Sequence, residues 1–145
     1  MVTDGEIVYY LLANNTAVAT LVSTRIYPES APQESSIPYI TYEVTDVEHY
    51  HHMVNSSGMK AATVMVDCYA ATYIAARTLA EKVRLALQGK TGSITVGSNS
   101  VVIQMITLED DSDVLIQNSG GGQVGIRLCS QDFRIITPEA VPTHT

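Results

Sequence analysis

Three histidines crowd one short stretch of this chain, His49, His51 and His52, with Asp46 and Glu48 beside them. Imidazole and carboxylate together are the ligand chemistry of zinc. On an extended segment side chains alternate, so His49 and His51 share a face while His52 points away. Two ligands can then reach one ion, and a third or fourth must come from elsewhere. The cluster reads instead as polar residues near the tip of a long hairpin. At a subunit interface such histidines would make contacts that weaken on protonation.

A second group is acidic: Glu109, Asp110, Asp111 and Asp113, with Ser112 between. Carboxylates at close spacing hold calcium or act as a hydrolytic pair, but the order of an EF-hand loop is missing. The run reads as a solvated acidic turn. Gly120-x-Gly122-x-x-Gly125 spells the dinucleotide fingerprint by letter. That fingerprint works only where a strand feeds the N-terminus of a helix. Here a strand-like segment follows, so Ser119-Gly120-Gly121-Gly122 reads as a flexible loop between strands. Gly89-Lys90-Thr91 echoes the end of a P-loop, but Arg84 stands where its first glycine belongs, and the segment ends a helix. Cys68 and Cys129 lie far apart in sequence and form no metal pattern. Cys68 sits mid-strand among apolar residues, which marks an inert thiol. No Gly-x-Ser-x-Gly elbow is present. No catalytic residue, no metal site and no cofactor is assigned.

The elements that position these groups can be read in order. Thr3 and Glu6 form a capping box, and Ile7, Val8, Leu11 and Leu12 give the apolar face of a first helix. Asn14-Asn15 ends it, and Thr16 caps a second, short helix. Arg25-Ile26-Tyr27 is extended and stopped by Pro28. Glu29 to Ile37 is a loop, and Pro38 opens a strand, where its missing N–H does no harm. That strand alternates Ile40, Tyr42, Val44 against Tyr39, Thr41, Glu43, Thr45. Thr63 to Ala70 returns, and the two strands pair as a long antiparallel hairpin. The helix from Tyr73 to Gln88 carries the stripe Ala76, Leu79, Ala80, Val83, Leu87, with Thr72 as N-cap and Gly89 as C′ residue. Arg77 and Glu81 pair at i, i+4 on its polar side. Ser93–Val96 and Val101–Leu108 form a hairpin. Val114–Gln117 is a short strand, and Gly125–Ile136 is the last one. The class is α+β: a mostly antiparallel sheet with helices on one face and a long hairpin arm.

Composition sets the outer bounds. The chain has 145 residues, 46% hydrophobic and 16% charged, which fits one folded domain, taken as residues 1–137 with a polar tail from 138 to 145. Net charge is −7 with only eight Lys and Arg, against a protein that grips nucleic acid. An acidic surface that DNA merely passes would look like this. No apolar run approaches the ~18 residues of a membrane span. The first residues show no basic leader, and folding in cytosol is expected.

The stretch from Arg25 to Leu87 carries one more message. Arg25-Ile26-Tyr27-Pro28, Ala31-Pro32-Gln33 and Ile37-Pro38-Tyr39-Ile40-Thr41-Tyr42-Glu43 come first. The loop Asn55-Ser56-Ser57-Gly58, the strand Thr63–Ala70 and the helix with Ala75-Ala76-Arg77 and Leu79–Leu87 follow. This ordered set resembles the tail-completion, or tail-terminator, proteins of long-tailed bacteriophages. The resemblance implies a structural virion protein and not an enzyme. It implies a homo-oligomeric ring, commonly of six, on the head-proximal end of the tail tube. Its partners would be the tail tube protein and the head–tail connector or head-closure protein, with DNA passing through the lumen unbound and no membrane involved. The partner contacts expected here are the hairpin tip Val47–Gly58, with His49, His51, His52, Asn55 and Gly58, and the loop Asn118–Gln123, with Gly120, Gly121 and Gly122. Glu109, Asp110, Asp111 and Asp113 are the lumen candidates, since a carboxylate collar repels phosphate. Two other readings stand beside this one. The chain could be another phage neck or minor tail-tube component, or a small metal-dependent enzyme using the histidines and the acidic run.

Overall fold

The computed structural model describes residues 2–32, 35–51, 56–116 and 126–139. Three helices, α1 (Asp4–Ala13), α2 (Thr16–Val22) and α3 (Tyr73–Leu87), accompany seven strands. The strands are β1 (Ile26–Pro28), β2 (Tyr39–His51), β3 (Ser56–Ala70), β4 (Gly92–Val96), β5 (Asn99–Ile103), β6 (Met105–Ile116) and β7 (Ile126–Pro138). Five of them form one sheet in the order β1-β2-β3-β7-β6. Only β1 and β2 are parallel; the other neighbours are antiparallel. β4 and β5 form a separate hairpin. The class is α+β, as expected.

Local chemistry explains the helices. Thr3 and Glu6 complete the capping box of α1, side chain to backbone in both directions. α2 is capped by Asn15, whose Oδ1 accepts from the backbone N–H of Val18 at 3.1 Å, and not by Thr16. Asn and Thr both serve as caps, and Asn15 has the extended backbone the position needs. α3 starts on Thr72 and is followed by Gly89, at φ 80°, where a Cβ would be strained. Its whole expected stripe, Ala76, Leu79, Ala80, Val83 and Leu87, is buried.

The sheet buries one face. In β7 the odd positions Cys129, Gln131, Phe133, Ile135 and Thr137 are buried, while the residues between them are half-buried. In β3 the matching set is Ala62, Val64, Val66, Cys68 and Ala70. These two rows meet in register, Val64 opposite Phe133 and Cys68 opposite Cys129. α1 and α3 touch each other and both pack on β3, so they share that face. Ile94 and Ile103 of the β4–β5 hairpin join the same core. The second face is left to the sheet's own side chains.

Several strand expectations change, beginning with Ser56 to Gly58, which were expected in a loop and lie in β3. Val101–Leu108 is not one strand: β5 stops at Ile103, Gln104 intervenes, and β6 begins at Met105. The acidic run is not a turn. Glu109 to Asp113 lies inside β6, which continues through Val114 to Ile116. Acidic residues disfavour strands intrinsically, but pairing with β7 overrides that preference here. The last strand runs one residue into the expected tail, ending at Pro138. On β2 the expected alternation holds as far as Val44, and a register shift between Val44 and Asp46 then moves Asp46 and Glu48 onto the face of Glu43.

Phe133 anchors the two layers, fully buried between Val64 and Leu108. Phe133→Ala should cost ~3–5 kcal/mol through the cavity it leaves. The check is a urea titration, with a lower midpoint and an unchanged slope.

Candidate functional site

The sequence-selected residues do not converge. Among the described residues no three His, Cys, Asp or Glu side chains form a group that could hold a metal ion. His52, Asn55, Asn118, Gly120, Gly121 and Gly122 lie outside the described residues, as does the rest of 117–125. His51 closes β2, with its backbone opposite Ser56. Gly58 lies in β3, and its carbonyl accepts from Glu139 N–H at 2.8 Å. His49 is exposed, and its Nδ1 meets Glu139 Oε2 at 2.5 Å. Beside it, Lys60 Nζ donates to Asp4 Oδ2 at 2.9 Å. Asp4 is buried at the start of α1, so the pair ties the first helix to the tip end of the hairpin, where Lys60 lies opposite His49.

The four carboxylates of β6 go to different places. Register sets Asp111 opposite Gln131 and Asp113 opposite Cys129, on the helix-covered face. There Arg77 of α3 reaches across. Its Nη1 lies 2.8 Å from Asp111 Oδ1 and 3.2 Å from Asp113 Oδ1, and its Nη2 lies 3.2 Å from Asp111 Oδ2. Nη1 also donates to Cys129 Sγ at 2.6 Å. The guanidinium holds the Asp111 carboxyl below its ordinary range, chiefly by hydrogen bonding. The expected Arg77–Glu81 pair does not form. Glu81 instead binds Arg84, which also bonds Gln88 Oε1. Arg77 is thus the clamp between α3 and the outermost strand of the sheet.

Asp110 faces the other way, opposite Asp132 of β7. Glu109 sits at the register shift, held by Thr107 Oγ1 at 2.8 Å. The second face of the sheet therefore collects acids: Glu43, Asp46, Glu48, Asp67, Asp110 and Asp132. Arg134 is the base among them, bonded to Tyr50 and 3.5 Å from Glu48. Burial, and then the charge of Asp110, push the Asp132 carboxyl up. Burial is also the first cause for Asp67, whose carboxyl is likewise raised. Asp67 Oδ1 is buried without a hydrogen-bond partner among the described residues. At one end of this face three tyrosine rings line up, Tyr27–Tyr39 at 6.1 Å and Tyr39–Tyr69 stacked at 4.6 Å.

A cleft of about 280 Å³ opens between the start of α3 and the β6–β7 end, lined by Tyr73, Ala76, Asp113, Val114, Leu115, Arg127 and Leu128. It presents one carboxylate, one guanidinium and the phenol of Tyr73. The described residues leave open an acidic sheet face, two sheet edges and a hairpin whose first strand is exposed from Glu43 to His49.

The comparisons agree in kind. A family model described as "Tail completion protein gp17" matches residues 6–113. The chain belongs to that family. It is a structural protein of the phage tail, found in the virion. Its fold is similar to that of a chain from a solved structure described as "Virion of native gene transfer agent (GTA) particle", at 16% identity and a TM-score of 0.69. That match covers 90% of this chain and 91% of the other. No curated protein matches.

The Arg77 clamp and the acidic face were not visible in sequence. Both depend on register between strands distant in the chain. The one local sign was that Arg77 stands on the flank of the apolar stripe of α3, close enough to reach over the sheet.

Two outcomes follow for this tail-completion protein. Arg77→Met should cost ~1–2 kcal/mol, discounted because the guanidinium is partly exposed. Asp111 has a lowered carboxyl, so its stabilising share is present above pH 3.8 and is lost as pH falls below it. That acid limb should shrink in Arg77→Met, read by thermal melts from pH 2 to 7. Asp132 has the opposite sign: its raised carboxyl favours folding at low pH and costs stability as pH rises through and above 3.8. Asp132→Asn should raise the melting midpoint at pH 7 and leave it nearly unchanged at pH 2, where the carboxyl is already protonated.

Proposed function

We propose that this protein forms a ring, of six copies, at the head-proximal end of the tail tube, where it stops tube polymerisation and joins the tail to the head connector. The observation that carries this reading is the tail-completion family match over residues 6–113. Two physical features support it. An exposed hairpin arm and the helix surfaces offer unlike surfaces for head-to-tail contacts, and such heterologous contacts close into a ring where the rotation permits. An acidic face with one arginine suits a surface that duplex DNA slides past, because like charge repels phosphate. In this reading Glu109 and Asp110 are the free members of the lumen set. Asp111 and Asp113 are engaged by Arg77 and contribute less field. Partner contacts fall on the hairpin, with His49, His51, His52, Asn55 and Gly58, and on the loop with Asn118, Gly120, Gly121 and Gly122. The role is assembly control and not catalysis.

The test is electron microscopy of lysates from a phage lacking this gene. Tails of unregulated length, detached from filled heads, are expected, and six copies per intact tail by quantitative mass spectrometry. Tails of normal length joined to heads would remove the proposal. Normal length with heads unjoined would favour a neck component instead.

A further inference from the structure

Cys68 and Cys129 stand directly opposite each other on β3 and β7. Both are free and fully buried, and both lie on the helix-covered face. Direct partners on antiparallel strands have Cα atoms ~4.5–5.5 Å apart, inside the ~4.4–6.8 Å range that a disulfide spans. Their side chains project to the same side, so the sulfurs are neighbours. Neither thiol has a place in the tail-assembly reading.

We infer that Cys68 and Cys129 are a redox pair that closes into a cross-strand disulfide when the protein meets a low-molecular-weight disulfide outside the reducing cytosol, locking the two central strands. Cys129 is the entry point. It lies under Arg77, whose side chain is 35% exposed, and its Sγ touches that guanidinium and Asp111. Cys68 touches no such exposed group. Burial pushes the Cys129 thiol up to about 12, so attack is slow near neutral pH and accelerates as pH rises. The Cys129 thiolate attacks a glutathione disulfide and releases one glutathione thiolate, which takes up the Cys129 proton. The Cys68 sulfur then displaces the second glutathione from Cys129, and that thiolate takes the Cys68 proton. The protein loses two protons and two electrons, and one glutathione disulfide becomes two glutathiones.

The experiment incubates purified full-length protein with oxidised glutathione at pH 8 and reads intact mass, free thiols and a peptide map. A monomer lighter by about 2 Da, with both thiols gone and a Cys68–Cys129 linked peptide, is the expected product. Its melting midpoint should exceed that of the reduced protein. Arg77→Met uncovers Cys129 and should reach the same product faster. Cys68→Ala should stop at a mixed disulfide on Cys129. A stable mixed disulfide in the wild-type protein, a disulfide-linked dimer, or an oxidised form that melts no higher would overturn the inference. So would two free thiols in both wild type and Arg77→Met.

Discussion

Twelve residue pairs join β3 to β7, from Met59–Pro138 to Ala70–Arg127, and the other elements hang on that ladder. Side chains on a strand alternate, so one register decides which face of each strand is apolar. With Val64 opposite Phe133 and Cys68 opposite Cys129, both strands send their apolar sets to the same side. A slip of one residue would turn Phe133 and Ile135 out and bring Asp132 and Arg134 in. The helices are needed to cover that side, and the small residues of α3 at positions 76 and 80 let it lie close. Burial per residue is worth about 1.5–3 kcal/mol for each large apolar side chain, which outweighs any single polar contact elsewhere in the molecule.

The same ladder sorts the charges. Asp132 and Asp67 fall on the uncovered face because Phe133, Gln131 and Cys68 must fall on the covered one. Carboxylates that face each other without a cation reduce stability at neutral pH. In the ring proposed above, passing DNA would account for a face that sets six acids around one arginine among the described residues.

Sequence periodicity captured the helices because helix signals are local: Thr3 with Glu6, Thr72, Gly89 and the α3 stripe all sit within a few residues of what they organise. The β2–β3 hairpin was legible for the same reason. The acidic run was misread as a turn because its strand state depends on β7, which comes later in the chain, and not on its own residues. The partners of Arg77 and the meeting of Cys68 with Cys129 were illegible on the same ground. Each joins residues more than thirty positions apart through a register that no local pattern records. His49 could be placed on the hairpin from local pattern, but its contact with Glu139 came from the far end of the chain.

Edges pose the remaining constraint. β1 covers β2 only from Ile40 to Tyr42, so Glu43 to His51 form one open edge, and β6 forms the other. The first edge carries Glu43, Asp46 and Glu48, the second Glu109, Asp110, Asp111 and Asp113, and neither strand contains Lys or Arg. Open edges template pairing with further strands, and charge along an edge is a common defence against it. Any edge-to-edge contact between two copies sets carboxylates against carboxylates, whichever edges meet. A ring built from these subunits must therefore close through the hairpin arm and helix surfaces, or meet cations from its neighbours where the edges approach. In either case the free subunit resists indefinite sheet growth through its edges.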